Sequence, residues 1–335
     1  MNHKNHPLRW GIMGTAEIAG KVSRAMQRAE GSELLKIASR DAERAKAWAE
    51  EHDVPQSCAG YAALLDDAEI DAVYVPLPPS LHCEWTIRAA EAGKHVLCEK
   101  PLAATVAEAE EMIAACRQHG VQLMDGTMWT HHERTPVMRH PIADGTLGRP
   151  RRVTSAFTFN WDEIPEDTIL LKPELAGGCL GDLGWYNVAL TLWAFGELPQ
   201  RVWATARYYH DVEMNLSGVM WFSGERMASF DCGFDVVDRQ WFEVAGKEQT
   251  LVCDDFVLPW SDAETRFWLH DGQGGSREQT VGPCVQEVRM IEDFSAAVCR
   301  GTLNHDWPRR SLDIMRVCER LAKAARQEQM VEMVP

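Results

Sequence analysis

Up to about Asp125 the chain alternates short apolar runs with amphipathic stretches. Residues 8–13 predict a strand, and residues 17–29 a helix with Ile18, Val22 and Met26 on one stripe. Residues 34–39 predict a second strand, followed by a helix from Asp41 to about His52. A short helix over 61–65 precedes a strand over 72–75, which Pro76, Leu77, Pro78 and Pro79 close. Ser80 is placed to cap a helix running to Glu91, with Gly93 stopping it. A strand over 95–98 follows. Thr105 and Glu108 then form a capping box for a helix ending at Gly120, and a last strand begins over 121–124. Strands separated by helices of this length predict βαβ units in a doubly wound parallel sheet.

Beyond Asp125 the pattern changes. Arg152 to Trp161 alternates, putting Val153, Ser155, Phe157, Phe159 and Trp161 on one face. Further strands are predicted over 201–209, 216–222, 227–234 and 241–252, with Ser223-Gly224-Glu225 as a hairpin turn. One helix interrupts them, from about Leu180 to Phe195, and helices over 288–299 and 311–327 end the chain. This half predicts an α+β domain whose open, mostly antiparallel sheet carries helices on one side. The expected division is 1–125 and 126–335, in the α/β class. A chain of 335 residues would need two cores in any case.

Glycines where a strand turns into a helix permit positive φ and let backbone amides approach a pyrophosphate at the helix N-terminus. The run after the first strand is Gly14-Thr15-Ala16-Glu17-Ile18-Ala19. It keeps the first glycine of the dinucleotide pattern and a small last residue, but Ala16 takes the place of the middle glycine. At the end of the second strand, where an acid would meet an NAD ribose hydroxyl, stand Ser39 and Arg40. A hydroxyl and a guanidinium suit a 2′-phosphate, so NADP is expected ahead of NAD. Two opposing features are the neighbouring Asp41 and the pairing of Arg40 with Glu43 as a solvated helix start.

Charge narrows the classes of partner. Fifty acidic against 34 basic residues leave a formal charge of −16, which disfavours nucleic-acid backbones and anionic membranes. No run approaches a membrane span, and the N-terminal Met1-Asn2-His3-Lys4-Asn5-His6-Pro7 carries no apolar signal core. Ten cysteines without a Cys-x-x-Cys pair fit reduced thiols in the cytoplasm. Thirteen tryptophans fill cores or interfaces, and indole faces also bind sugars.

The chemistry concentrates at Glu99-Lys100-Pro101, on the carboxyl edge of the predicted sheet. The segment from Ser80 and His82 to Glu99-Lys100-Pro101 resembles the glucose–fructose oxidoreductase, inositol dehydrogenase and MocA family. The resemblance continues through Gly177-Gly178-Cys179-Leu180-Gly181-Asp182-Leu183-Gly184-Trp185-Tyr186 and covers nearly the whole chain. Tyr186 in that last motif resembles the dihydrodiol dehydrogenase and glucose–fructose oxidoreductase branch, where many inositol dehydrogenase-like members carry histidine.

The resemblance implies an NAD(P)-dependent oxidoreductase. Oxidising an alcohol removes a hydride from carbon and a proton from oxygen, so a side chain must take the proton. Lys100 and Tyr186 would share proton transfer, and Asp182 would hold a sugar, polyol or trans-diol. Burial and cationic neighbours are expected to bring the Lys100 amine toward a working range. Cofactor contacts carry over to Gly14, Thr15, Ala16, Ile18, Ser39 and Arg40, then to Pro76, Leu77, Pro78, His82, Glu99 and Lys100. Trp129 and Trp161 are candidates for stacking on substrate, structural packing being the alternative. Where the branch shows a Met-Tyr-Arg-Phe-His-Pro-like segment, this chain has Met128-Trp129-Thr130-His131-His132-Glu133. Ile169-Leu170-Leu171-Lys172-Pro173-Glu174 likewise has leucine where many relatives carry arginine, so a less basic pocket is expected. The adjacent His131 and His132 are not expected to hold a metal, because neighbours on an extended segment point opposite ways. Open-faced sheets of this kind imply a homodimer or larger homo-oligomer. The rival readings are a glycosidase that oxidises its sugar transiently and a non-catalytic cofactor-binding sensor.

Overall fold

A computed structural model describes residues 6–161 and 168–333; the first five residues of the polar N-terminal segment lie outside them. Contacts divide the chain into two compact units. One comprises residues 1–131 with 285–312, the other residues 132–284 with 313–335. The expected boundary at 125 took no account of the later segment that returns to the first unit.

The first unit opens with β1 (Leu8–Met13), α1 (Glu17–Arg28), β2 (Ser32–Ser39), α2 (Ala42–Glu51), β3 (Gln56–Ala59) and α3 (Tyr61–Leu65). It continues with β4 (Ala72–Val75), α4 (His82–Glu91), β5 (His95–Cys98), α5 (Val106–Gln118) and β6 (Leu123–Asp125). The six strands lie parallel in the order β3-β2-β1-β4-β5-β6. That order reverses beside β1, the place where doubly wound sheets open a crevice. β3 had no apolar signature: Gln56-Ser57-Cys58-Ala59 is an edge strand facing water. Ser80 is not the cap of α4. It lies in a 3₁₀ turn, Pro79–Leu81, and Leu81 takes the cap position without a side-chain bond. The Thr105 box forms in a shifted version, with Thr105 Oγ1 accepting from Glu108 N–H (3.2 Å) and the Glu108 carboxylate from Ala104 N–H (3.0 Å).

The second unit contains α6 (Arg134–Ala143), β7 (Arg152–Asn160), α7 (Trp185–Phe195), β8 (Arg201–Tyr209), β9 (Val212–Trp221) and β10 (Met227–Gly233). β11 (Asp235–Ala245), β12 (Gln249–Cys253), β13 (Thr265–Asp271) and β14 (Ser276–Val281) follow. Residues 241–252, read as one strand, are parts of two that meet in a hairpin around Gly246, where a Cβ would stand 1.8 Å from the Leu147 carbonyl oxygen. The chain ends with α8 (Gln286–Cys299) in the first unit, then α9 (Asp306–Gln327) and β15 (Val331–Glu332). The nine strands run in the order β14-β13-β12-β11-β7-β10-β9-β8-β15, antiparallel except for the β10/β7 pair.

Burial alternates along this sheet. Val153, Ala204, Leu216, Phe230, Phe242 and Leu251 are buried, while Trp203, Val219, Glu243, Val252 and Trp268 on the opposite face are only half-buried. α8 closes the core of the first unit, where Phe294 packs between Trp10 (ring centroids 5.0 Å apart) and Trp307 (6.4 Å).

Candidate active site

The turn after β1 is shaped for close approach. Gly14 has φ +102°, and its N–H donates to the Ala38 carbonyl at 2.8 Å. A Cβ there would be strained and would stand 3.0 Å from Leu77 Cδ2. Ala16, which replaces the pattern's middle glycine, adopts φ −65° and ψ 154°, an extended conformation that needs no glycine. It is the N-cap of α1 and provides no side-chain oxygen for the first-turn amides, so those donors fit a phosphate. Thr15, Ala16 and Ile18 are all half-buried around this turn.

At the end of β2 the Ser39 hydroxyl accepts from Asp41 N–H (3.3 Å), and the Asp41 carboxylate caps α2 by accepting from Arg44 N–H (3.0 Å). The acid beside Arg40 is thus committed to the helix, and Arg40 itself is exposed. The first-turn amides of α1 and the guanidinium of Arg40 suit the phosphate groups of a dinucleotide.

The loops after β4 and β5 are tied together. Pro76 and Leu77 are buried and Pro78 half-buried. His82 is fully enclosed, with Nε2 2.7 Å from the Leu77 carbonyl oxygen and Nδ1 3.0 Å from that of Pro101. Its imidazole therefore clamps the two loops from within rather than lining a surface. Burial pushes its pKa down, and the carbonyls pull only partly the other way.

Lys100 follows β5, half-buried, ahead of a cis peptide to Pro101. Its neighbour Glu99 faces inward. Tyr74 OH donates to Glu99 Oε1 at 2.6 Å, and Lys100 N–H donates to Oε2 at 3.1 Å. The carboxyl beside Lys100 in sequence thus holds the lysine's backbone.

In the second unit the glycine motif is explained by backbone crowding. A Cβ on Gly177 would stand 2.6 Å from the Leu170 carbonyl oxygen and 2.7 Å from that of Ile169. Gly178 has φ +116°, and a Cβ there would meet Glu213 Oε2 at 2.5 Å. The chain then enters a π-turn, Leu180–Gly184, before α7. Asp182 lies in that wide turn and Tyr186 in the first turn of α7, so their four-residue spacing still puts them near one face. Asp182 is half-buried. Tyr186 is 2% exposed, edge-on to Phe157 with ring centroids 5.4 Å apart.

Trp161 is half-buried, packed against Phe159 and Phe234. Trp129 is 1% exposed, so its indole is interior packing and presents no face for stacking; that candidate is withdrawn. His131 lies in a 3₁₀ turn, not on an extended strand, and bonds Asp293 through Nδ1 at 2.7 Å. Among the described residues no cluster of three or more His, Cys, Asp or Glu is arranged to hold a metal.

The structure thus gathers the cofactor candidates on the loops following β1, β2, β4 and β5 of one sheet, and places Asp182, Tyr186 and Trp161 in the other unit. Sequence reasoning missed Tyr74, Gly126 and Glu213. Tyr74 had one signal, a phenol inside an otherwise aliphatic strand.

Residues 8–127 match the oxidoreductase family with an NAD-binding Rossmann fold, and residues 137–252 match the GFO/IDH/MocA C-terminal domain. The chain is 34% identical over 328 residues to an NADP-dependent D-xylose 1-dehydrogenase of Haloferax volcanii, covering 97% of this chain and 99% of that one. It is 30% identical over 233 residues to the human trans-1,2-dihydrobenzene-1,2-diol dehydrogenase, covering 68% and 69%. A 3-ketoreductase from Actinomadura kijaniata, solved with NADP and TDP-benzene, superposes with a TM-score of 0.90 at 28% identity, covering 95% of this chain and 98% of that one. This chain belongs to the GFO/IDH/MocA family of NAD(P)-dependent oxidoreductases.

Proposed function

We propose that this enzyme interconverts an alcohol of a sugar, polyol or trans-diol with its carbonyl or lactone, and prefers NADP. The observation that carries this reading is Lys100 at the carboxyl edge of a parallel sheet whose first turn fits a dinucleotide. When bound, the nicotinamide supplies the carbon that accepts or donates hydride. Lys100 and Tyr186 move the proton on the reacting oxygen, and Asp182 orients the substrate by accepting from a hydroxyl. Residues to 125 serve the cofactor, and the remainder serves substrate binding and self-association. The NADP preference rests on the exposed Arg40 beside Ser39, with Asp41 occupied as a helix cap. The sugar class is supported by the named activity of the xylose dehydrogenase relative.

Self-association is supported by the half-buried sheet face bearing Trp203, Trp221, Trp241 and Trp268. A cytoplasmic setting is supported by ten cysteines that remain thiols, among them Cys179 and Cys232 with their sulfurs 3.7 Å apart. No helix among the described residues is long and apolar enough to cross a membrane.

The decisive experiment follows absorbance of reduced nicotinamide while sugars, polyols and trans-diols are screened with both coenzymes. NADP-linked turnover that Lys100→Met lowers by on the order of a thousandfold, with NADP affinity held within about tenfold, is the expected result. Undiminished turnover in that variant would remove Lys100 from the chemistry. Co-purifying cofactor without net turnover would move the reading to a transiently oxidising glycosidase or a sensor.

A further inference from the structure

Glu99 is half-buried, and both of its carboxylate oxygens are engaged within its own unit. Its Oε1 accepts from the hydroxyl of Tyr74, a residue of β4 with no exposed surface, and its Oε2 from the backbone N–H of Lys100. From the third side Gly126, the residue after β6, closes on the carboxyl. A Cβ there would stand 2.8 Å from Oε1 and 3.0 Å from Cδ, so any larger residue would push the carboxyl out of this position. Gly126 is itself fixed by donating to the Cys98 carbonyl at 2.8 Å. Three adjacent strands, β4, β5 and β6, thus converge on one carboxyl group, and the residue it holds is the lysine.

We propose that Glu99, braced by Tyr74 and Gly126, is a positioning residue for Lys100. It fixes the lysine's backbone and sets a negative charge beside its ammonium. This rests on the reading of Lys100 as a proton-transfer group.

The titratable and charged groups facing Glu99 are Tyr74 from β4, Cys98 and Lys100 from β5 and its loop, and Asp125 from β6. Asp125 is in turn faced by Thr127, His131, Arg310 and Ser311. Burial pushes the Glu99 carboxyl up, while the Tyr74 bond and the Lys100 charge draw it back. By reciprocity, a carboxylate stabilised by an ammonium favours that ammonium. An amine held protonated enters the cycle as a donor to a carbonyl oxygen, the reducing direction.

The test needs no substrate. Lysines of the full-length protein are ¹³C-dimethylated, the Lys100 resonance is identified by its loss in Lys100→Met, and its titration midpoint is followed by NMR. NADPH affinity is measured in parallel by fluorescence. Glu99→Gln is expected to lower the midpoint by about one pH unit and Tyr74→Phe by a smaller amount in the same direction, with the NADPH dissociation constant of Tyr74→Phe within about twofold of the parent. Tyr74→Phe keeps the buried ring and removes only the donor, so it carries the test should Glu99→Gln fail to fold. An unmoved or rising midpoint overturns the proposal, as does a tenfold loss of NADPH affinity in Tyr74→Phe. Turnover that survives Lys100→Met would sink the proton-transfer reading instead, while leaving this electrostatic link intact.

Discussion

The first unit presents its candidate groups on loops that follow β1, β2, β4 and β5, whereas the second carries Asp182 and Tyr186 on a π-turn and the helix it enters. In the first, position follows from the regular fold: the ends of parallel strands converge on a crevice whatever fills the loops. In the second, position follows from particular close contacts, with Gly177 against two carbonyls and Gly178 against Glu213. Substitutions near the first site should therefore change binding and chemistry with little cost to folding. Substitutions in the glycine run should cost folding first.

The sharpest way to break this contrast is Tyr186→Phe. If the π-turn exists to present that phenol, the variant should lose on the order of a hundredfold or more in kcat while NADP affinity, a property of the first unit, stays within about twofold. Steady-state kinetics on the substrate selected by the coenzyme screen would decide it, and an unchanged kcat would return Tyr186 to core packing beside Phe157.

Gly177→Ala comes next. A methyl group 2.6 Å from the Leu170 oxygen cannot be relieved by a side-chain rotation, so the backbone must shift, at about 2–3 kcal/mol. Thermal and urea midpoints should fall for the variant, and kcat with them as Asp182 is displaced. Parental midpoints would show that the segment carrying Ile169 and Leu170 yields easily, and the contrast between the units would then fail.

What was legible in the chain follows the same division. β1, α3, β4 and β5 lie where their apolar runs predict, because strands buried on both faces write themselves as apolar stretches. The edge strands β3 and β14 were silent, being polar segments paired on one side only. The Glu99-Lys100-Pro101 loop was visible as a motif. The bond that turns Glu99 toward Tyr74 and the burial that seals His82 between two carbonyls were not, since they depend on strands β4, β5 and β6 meeting from distant parts of the sequence. The π-turn was equally hidden, because its residues read as ordinary helix. Trp129 failed as a candidate for a related reason: indoles that fill cores and indoles that stack on ligands are the same letter in a sequence.

A smaller effect tests the coenzyme edge of the first unit. Arg40→Ala should weaken NADP by about tenfold or more, with NAD nearly unchanged, because a guanidinium lost from a 2′-phosphate has no counterpart in the unphosphorylated coenzyme. Equal losses for the two, measured by titration, would show that Arg40 acts on the ribose or on the loop and not on the phosphate. The fold should be indifferent, since Arg40 is exposed and Asp41 caps α2 without it.

The smallest effect asks whether the loops of the first unit are as self-supporting as their regularity suggests. His82 holds them from within, and burial lowers its folded-state pKa below the ordinary histidine value of about 6.5. Above that value both folded and unfolded chains carry a neutral ring, and its contribution is complete. As pH falls below it the unfolded chain takes up the proton and the folded one resists, so stability is lost. Glu99, Asp125 and Glu213 have carboxyls raised by burial, and they act in the opposite sense as pH falls toward the ordinary carboxylate range. The absolute pH profile of the protein is therefore a sum of opposing slopes, and only a difference isolates the histidine. Comparing urea midpoints of the parent and His82→Gln at pH 7.5 and 5.5, the parent's advantage should shrink by about 1 kcal/mol at the lower pH. A constant advantage would mean that burial does not shift the ring at all, and one that grows would mean that the ring is already charged at neutral pH, donating to the carbonyls of Leu77 and Pro101 at once. The clamp would then be an imidazolium, and a positive charge would stand behind the Lys100 loop.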